Sequence, residues 1–201
     1  MNIREGYIKF SYQWKQIDCN IPDKCYNELN KRRDKLYNLN LIGAYENGIG
    51  FGNISMRIPG SNKFYISSSG TGKYKKLLPK HYALVTGFNF NENSINCTGL
   101  HPASSESLTH AAVYESLYEV NAVVHIHHLK LWKKLKNKFP TTNPLIEYGT
   151  SDMAFEIVRI IQTNENQIVV MGGHKEGILS FGEDLPEAVE VLFSHYNQLK
   201  C

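Results

Sequence analysis

At 201 residues, 42% of them hydrophobic and 20% charged, the chain can bury one sizeable core and is short for two. That composition excludes a disordered tail or a collagen, and no run approaches the roughly 18 uninterrupted apolar residues a membrane-spanning helix needs. Lys plus Arg at 22 against Asp plus Glu at 19 leaves +3, too small an excess to mark a nucleic-acid surface, so the eight histidines are the better lead.

Residues Met1 to Phe10 alternate polar and apolar and carry Glu5, unlike the apolar centre of a secretory signal, and a cytoplasmic location is expected. The cysteines at 19, 25, 97 and 201 have neither C-x-x-C spacing nor the density of a disulfide framework, and are expected to be reduced. Gly6 to Trp14 alternates like a strand. Pro22-Asp23 then opens a helix with Tyr26, Leu29, Arg33, Leu36 and Tyr37 at steps of three and four. Gly48 to Gly52 leads into a hairpin, Asn53 to Ile58 and Phe64 to Ser68, turned by Pro59 to Asn62. Tyr82 to Phe90 reads as a strand and Asn91 to Asn96, polar apart from Ile95, as a loop. Pro102 to Glu119 reads as a helix, Ala122 to His127 as a short buried strand, Ser151 to Gln162 as a helix and Gln167 to Met171 as a strand. Asp184 to Leu199 closes the chain as a helix with Ala188, Val189, Leu192, Phe193 and Tyr196 on one face. The expectation is one layered α/β domain over residues 1–201, with residues 1–22 as an N-terminal extension carrying a strand.

Four constellations could carry chemistry. In Val123-Val124-His125-Ile126-His127-His128, the alternation of a strand puts His125 and His127 on one face, either a metal half-site or a hydrogen-bonded pair at a strand end. The apolar run ending at Met171 stops at Gly172-Gly173-His174. The glycines let the backbone bend so that His174 can serve as a third ligand, or simply as a turn residue. Three histidines would leave coordination positions open, which is a catalytic arrangement. In Ala103-Ser104-Ser105-Glu106, either serine can cap a helix or hold an anion, with Glu106 in the first turn and His110 one turn on. Gly52-Asn53-Ile54-Ser55 and Ser67 to Lys73 offer hydroxyls, glycine-freed N–H groups and a lysine suited to a phosphate monoester, without the spacing of a P-loop.

The order of these pieces, GNIS, YISSSGTG, ASSE, VVHIHH and then GGHKEGILSFGEDLPEA, resembles the class II aldolase/adducin family from about Asn38 to Leu199, and within it the fuculose-phosphate aldolase-like, metal-dependent members. The resemblance implies a three-layer α/β/α fold with a central, largely antiparallel mixed sheet. It also implies a homotetramer with sites near subunit interfaces, while the charge and hydropathy above point to neither nucleic acid nor membrane as a partner. By position, His125, His127 and His174 match the metal ligands and Glu106 the acid/base. Asn53, Ser69, Gly70, Ser104 and Ser105 match the phosphate contacts, while His110 and Tyr148 match a supporting group or an acid. The implied cofactor is a divalent metal, zinc first, with Mn²⁺, Fe²⁺ or Co²⁺ as alternatives. The implied activity is that of a lyase acting on a small phosphorylated keto-sugar, or a related acid, through a metal-stabilised enediolate. A sugar-phosphate dehydratase, a 4-epimerase and a non-catalytic adducin-like interaction domain are the alternatives. SSSGTG, ASSE and GGHKEG depart from the commonest family motifs, and the segments LIGAYENGIGFGNIS, THAAVY, YGTSDMA and MGGHKEGILSFG resemble a distinct branch of the family.

Overall fold

A strand that carries buried apolar residues on both faces must be covered on both sides. Strand β8 (Ala122–His127), elements being numbered along the chain, is such a strand in the computed structural model, which describes residues 7–199: all six of its residues are buried. Its Val124 and Ile126 enter one apolar core and its Val123 the opposite one. β8 lies within an eight-stranded sheet of order β1 (Ser11–Lys15), β7 (Ser94–Thr98), β6 (Tyr82–Asn89), β5 (Phe64–Ser67), β4 (Asn53–Arg57), β8, β10 (Gly177–Gly182) and β9 (Ile168–Val170). Every pairing is antiparallel except that of β1 with β7.

Helices α2 (Ser107–Ser116) and α4 (Ser151–Thr163) cover one face, burying Leu108, Ala112, Met153 and Ile157 against Val123, Val169 and Leu179. Helices α1 (Asp23–Asn38), α3 (Leu129–Leu135) and α5 (Leu185–Tyr196) cover the other with Leu29, Leu131, Ala188 and Leu192. The result is the three-layer α/β/α arrangement with a largely antiparallel mixed sheet. Asp184 starts α5 by accepting the Glu187 N–H at 2.9 Å, and Pro186 sits in the first turn, where its missing N–H costs nothing. None of the described helices is long and apolar enough to cross a membrane.

Several boundaries differ from expectation. The N-terminal strand runs Ser11–Lys15, and Gly6 lies outside the described residues. Asn91 to Asn96 is not wholly loop: β7 begins at Ser94 and buries Ile95 and Cys97 in alternation. Only two apolar positions fall in this five-residue strand, too few for its period of two to stand out. The helix expected over Pro102 to Glu119 is only Ser107–Ser116, because the preceding residues are drawn into pairing, Ala103 bridging to Ser68. The closing helix ends at Tyr196 and continues as a short 3₁₀ turn. Strand β10, helix α3 and the ribbon of β2 (Gly43–Ala44) with β3 (Gly50–Phe51) are additions to the sequence reading.

Candidate active site

The alternation of β8 places His125 and His127 together, 1% and 3% exposed, while Ile126 points into the opposite core. His128 takes no part in the cluster; its Nδ1 caps α3 by accepting the Leu131 N–H at 3.0 Å. His174, also 3% exposed, comes from the turn between β9 and β10. Its ring centroid lies 4.6 Å from that of His127 and 5.1 Å from that of His125. One ring nitrogen from each histidine lies within 4.8 Å of the others.

These nitrogens fit a divalent cation. His125 Nδ1 faces the carbonyl oxygen of Ile178 at 3.2 Å, and a carbonyl can only accept, so Nδ1 carries the proton and Nε2 presents a lone pair. Burial, aided by the neighbouring His174, holds the pKa values of His125 and His127 well below the ordinary imidazole range, leaving both rings neutral. Their Nε2 atoms approach to 3.1 Å. Neutral imidazoles converging their Nε2 atoms at that distance are suited to hold a divalent ion.

The turn carrying His174 is tied down by His174 N–H to Met171 O at 3.2 Å and Gly177 N–H to His174 O at 2.8 Å. Glycine is needed before it because of close approach: a Cβ on Gly172 would overlap the carbonyl oxygen of Thr142, and one on Gly173 that of Ile146. The chain bends here as the sequence suggests, but neither glycine has a positive φ, so what requires glycine is the close packing and not a left-handed backbone. Gly173→Ala is therefore expected to lower stability by about 1–3 kcal/mol, the usual cost of overpacking, in urea unfolding of the metal-free protein. An unchanged midpoint would contradict the contact.

Glu106, 2% exposed, occupies the position before α2. Thr109 Oγ1 donates to its Oε2 at 2.7 Å, and its Oε1 lies 3.6 Å from His174 Nδ1. Neither serine before it caps α2 as expected. Ser104 Oγ instead accepts the Glu106 N–H at 3.3 Å, and the Ser104 carbonyl accepts the Ser107 N–H at 3.0 Å. Asn53 pairs with His125 across β4 and β8, and Ser69 N–H donates to Pro102 O at 2.9 Å, joining the serine turn to the Ser104–Ser105 segment. Asn53, Ser69, Gly70, Ser104 and Ser105 consequently line one pocket with Glu106 and His125. The buried hydroxyl of Ser68 in the same pocket has no hydrogen-bond partner among the described residues.

Sequence reasoning missed Arg33. It is 1% exposed and among the residues lining that pocket, and its guanidinium donates to Lys75 O at 2.7 Å and Gly72 O at 3.2 Å. Asp34 Oδ1 lies 3.9 Å from it, beyond hydrogen-bond reach. An arginine inside the apolar stripe of a helix was the available signal, since buried guanidinium groups need partners.

Tyr148 stacks on His174 with centroids 4.2 Å apart, and the Lys9 ammonium sits 3.5 Å over the tyrosine ring. His110 is wholly buried beside Ser55, whose Oγ lies 2.7 Å from both His110 Nδ1 and Tyr114 Oη. Burial pushes the His110 pKa down to about 3. The unfolded chain takes up that proton near pH 6.5 and the folded chain does not, so the stability this residue contributes is complete above about 6.5 and is lost as pH falls towards 3. Across that window, stability should fall more steeply in the parent than in His110→Gln, by up to about 1.4 kcal/mol per pH unit. Parallel stability curves at pH 4 to 7 would contradict this.

A buried three-histidine cluster at the end of strand β8, with a carboxylate and a polar pocket beside it, defines an α/β protein whose candidate site could hold a metal ion. Residues 44–200 match the family model described as Class II Aldolase and Adducin N-terminal domain, and the chain belongs to that family. It is 35% identical over 108 residues to methylthioribulose-1-phosphate dehydratase of Leptospira interrogans serogroup Icterohaemorrhagiae serovar copenhageni (strain Fiocruz L1-130). That match covers 49% of this chain and 42% of the relative, so it spans less than half of the relative's length. An L-fuculose 1-phosphate aldolase structure superposes with a TM-score of 0.68 at 19% identity, over 89% of this chain and 84% of that one. The L-fuculose-1-phosphate aldolase of Thermus thermophilus gives 0.60 at 20% identity, over 87% of each chain. At these identities the structural likeness concerns the fold.

Proposed function

We propose that this chain is a divalent-metal-dependent lyase acting on a small phosphorylated ketose, with Glu106 taking the proton from the carbon beside the ketone. One observation carries the reading: the buried Glu106 carboxylate stands where the histidine cluster meets the polar pocket, 3.6 Å from His174 Nδ1 and in one lining with Ser69, Gly70, Ser104 and Ser105. His125, His127 and His174 would hold the ion, zinc in this reading, which when bound supplies Lewis-acid stabilisation of charge on the substrate oxygens.

The protein's own groups perform the rest. The hydroxyls and amides of the serine turn and of Ser104–Ser105 grip the phosphate, with the Arg33 charge behind them. That grip holds the reacting carbon against Glu106. The Thr109 hydroxyl fixes Oε2, so the carboxylate is presented in one orientation. Tyr148, stacked on His174, is the group assigned to the leaving oxygen, and His110, hydrogen-bonded to Ser55 on β4, is the supporting group.

Dehydration is the favoured reaction, because the 35% identical relative is named for it. The C–H proton passes to Glu106, the hydroxyl on the next carbon leaves with a proton as water, and the resulting enol tautomerises to a diketone. Carbon–carbon cleavage, the reaction in the names of the structural neighbours, uses the same proton site. Mass spectrometry of methylthioribulose 1-phosphate incubated with zinc-loaded protein tests the choice. A product lighter by one water supports dehydration, two fragments support cleavage, and unchanged substrate without deuterium uptake from heavy water overturns the lyase reading. The reading extends to a homotetramer with sites near subunit contacts and to the cytoplasm, where the free thiols Cys19, Cys25 and Cys97 would remain reduced.

A further inference from the structure

We infer that Glu176 and Tyr45 act together as positioning residues that lock His127 in the tautomer and rotation a metal ion requires, an inference that rests on the metal-site reading above. Tyr45 Oη lies 2.9 Å from His127 Nδ1 and 3.2 Å from Glu176 Oε2. A phenol has one proton and a carboxylate can only accept, so Tyr45 donates to Glu176. It must then accept from His127, which places the imidazole proton on Nδ1. The lone pair of His127 Nε2 is thereby directed at His125 Nε2, 3.1 Å away, itself already committed as an acceptor by Ile178. A carboxylate behind the hydroxyl makes Tyr45 a stronger acceptor and the imidazole a better ligand. Phe51 completes the clamp, its ring centroid 4.6 Å from that of Tyr45 and 5.5 Å from that of His127.

The backbone at Glu176 points the same way. Among the described residues, five non-glycine residues have positive φ, and four of them, Asn20, Asn40, Asn93 and Asn137, are asparagines, which tolerate that region. The fifth is Glu176, at φ 76°. Its turn closes through backbone bonds, Gly177 N–H to His174 O and His128 N–H to Glu176 O, which glycine or asparagine could make equally well. A glutamate at a strained position whose fold needs no side chain is explained by what its carboxylate reaches, which is Tyr45.

The test is zinc titration of metal-free protein against a chromophoric chelator, in the parent, Tyr45→Phe, Glu176→Asn and the double variant. Asparagine suits the left-handed backbone and is one methylene too short to hold Tyr45. Each single change should weaken zinc binding about 10–100-fold, the usual effect of removing a group that orients a ligand. The double variant should bind like Tyr45→Phe alone, and metal-free Glu176→Asn should melt no lower than the parent. Unchanged affinity in a zinc-binding parent overturns the inference, as does a Glu176→Asn loss that persists undiminished without the Tyr45 hydroxyl, or one matched by a lower melting temperature. A parent that binds no zinc overturns the metal site itself, and the inference with it.

Discussion

Glu106→Gln is expected to lower turnover of a phosphorylated ketose by about 10²–10⁴-fold, the range for loss of a general base, while leaving zinc affinity within a small factor of the parent. Glutamine is isosteric, and its amide oxygen can still accept from the Thr109 hydroxyl, now 2.7 Å from Oε2, so the turn before α2 should persist. What disappears is the ability to accept a proton. Because the substitution exchanges a buried carboxylate for a neutral amide, the fold should not suffer; the Glu106 side chain is almost wholly enclosed. Solvent-deuterium uptake into the substrate separates the two roles of the site: the parent should label the carbon beside the ketone and Glu106→Gln should not. A variant that labels as fast as the parent would remove Glu106 from the chemistry.

His125→Ala should abolish stoichiometric zinc binding. Structural zinc is worth about 10–16 kcal/mol over about four ligands, so one ligand lost should weaken binding by at least about two orders of magnitude. The backbone ladder that pairs residue 125 with Asn53 and Leu179 does not depend on the side chain, and β8 remains central in the sheet. The variant should therefore fold, carry a small cavity and lose activity at least as completely as Glu106→Gln. Full zinc occupancy in this variant, measured by elemental analysis after gel filtration, would place the metal elsewhere.

Much of the site can be read from the chain because its parts sit where local rules are strong. A period of two puts His125 and His127 on one face whatever the rest of the sheet does. The serine and glycines of residues 69–72 and the serines at 104–105 lie in turn and loop segments, whose chemistry is local. Helices α1, α4 and α5 carry long amphipathic periods, and their observed ends lie close to those the periods predict. What escapes depends on tertiary partners. Ile95 and Cys97 sit in a strand too short and too polar to announce itself. Arg33 is one more residue on a helix face until the fold brings the carbonyls of Gly72 and Lys75 to it. Tyr45 and Glu176 are 131 residues apart, and no local pattern joins them. The glycines before His174 matter for a property the sequence does not display: packing against Thr142 and Ile146 decides them, not backbone freedom.

X-ray absorption at the zinc edge of protein loaded with one equivalent of zinc tests the central claim most directly. Three converging histidines predict a first shell of nitrogen and oxygen at about 2.0–2.2 Å, with the outer-shell scattering of three imidazoles in the parent; in His125→Ala given the same zinc, most of that imidazole signal should be lost because the ion stays in water. Sulfur scattering at about 2.3 Å, or a spectrum that the substitution leaves unchanged, would contradict the account.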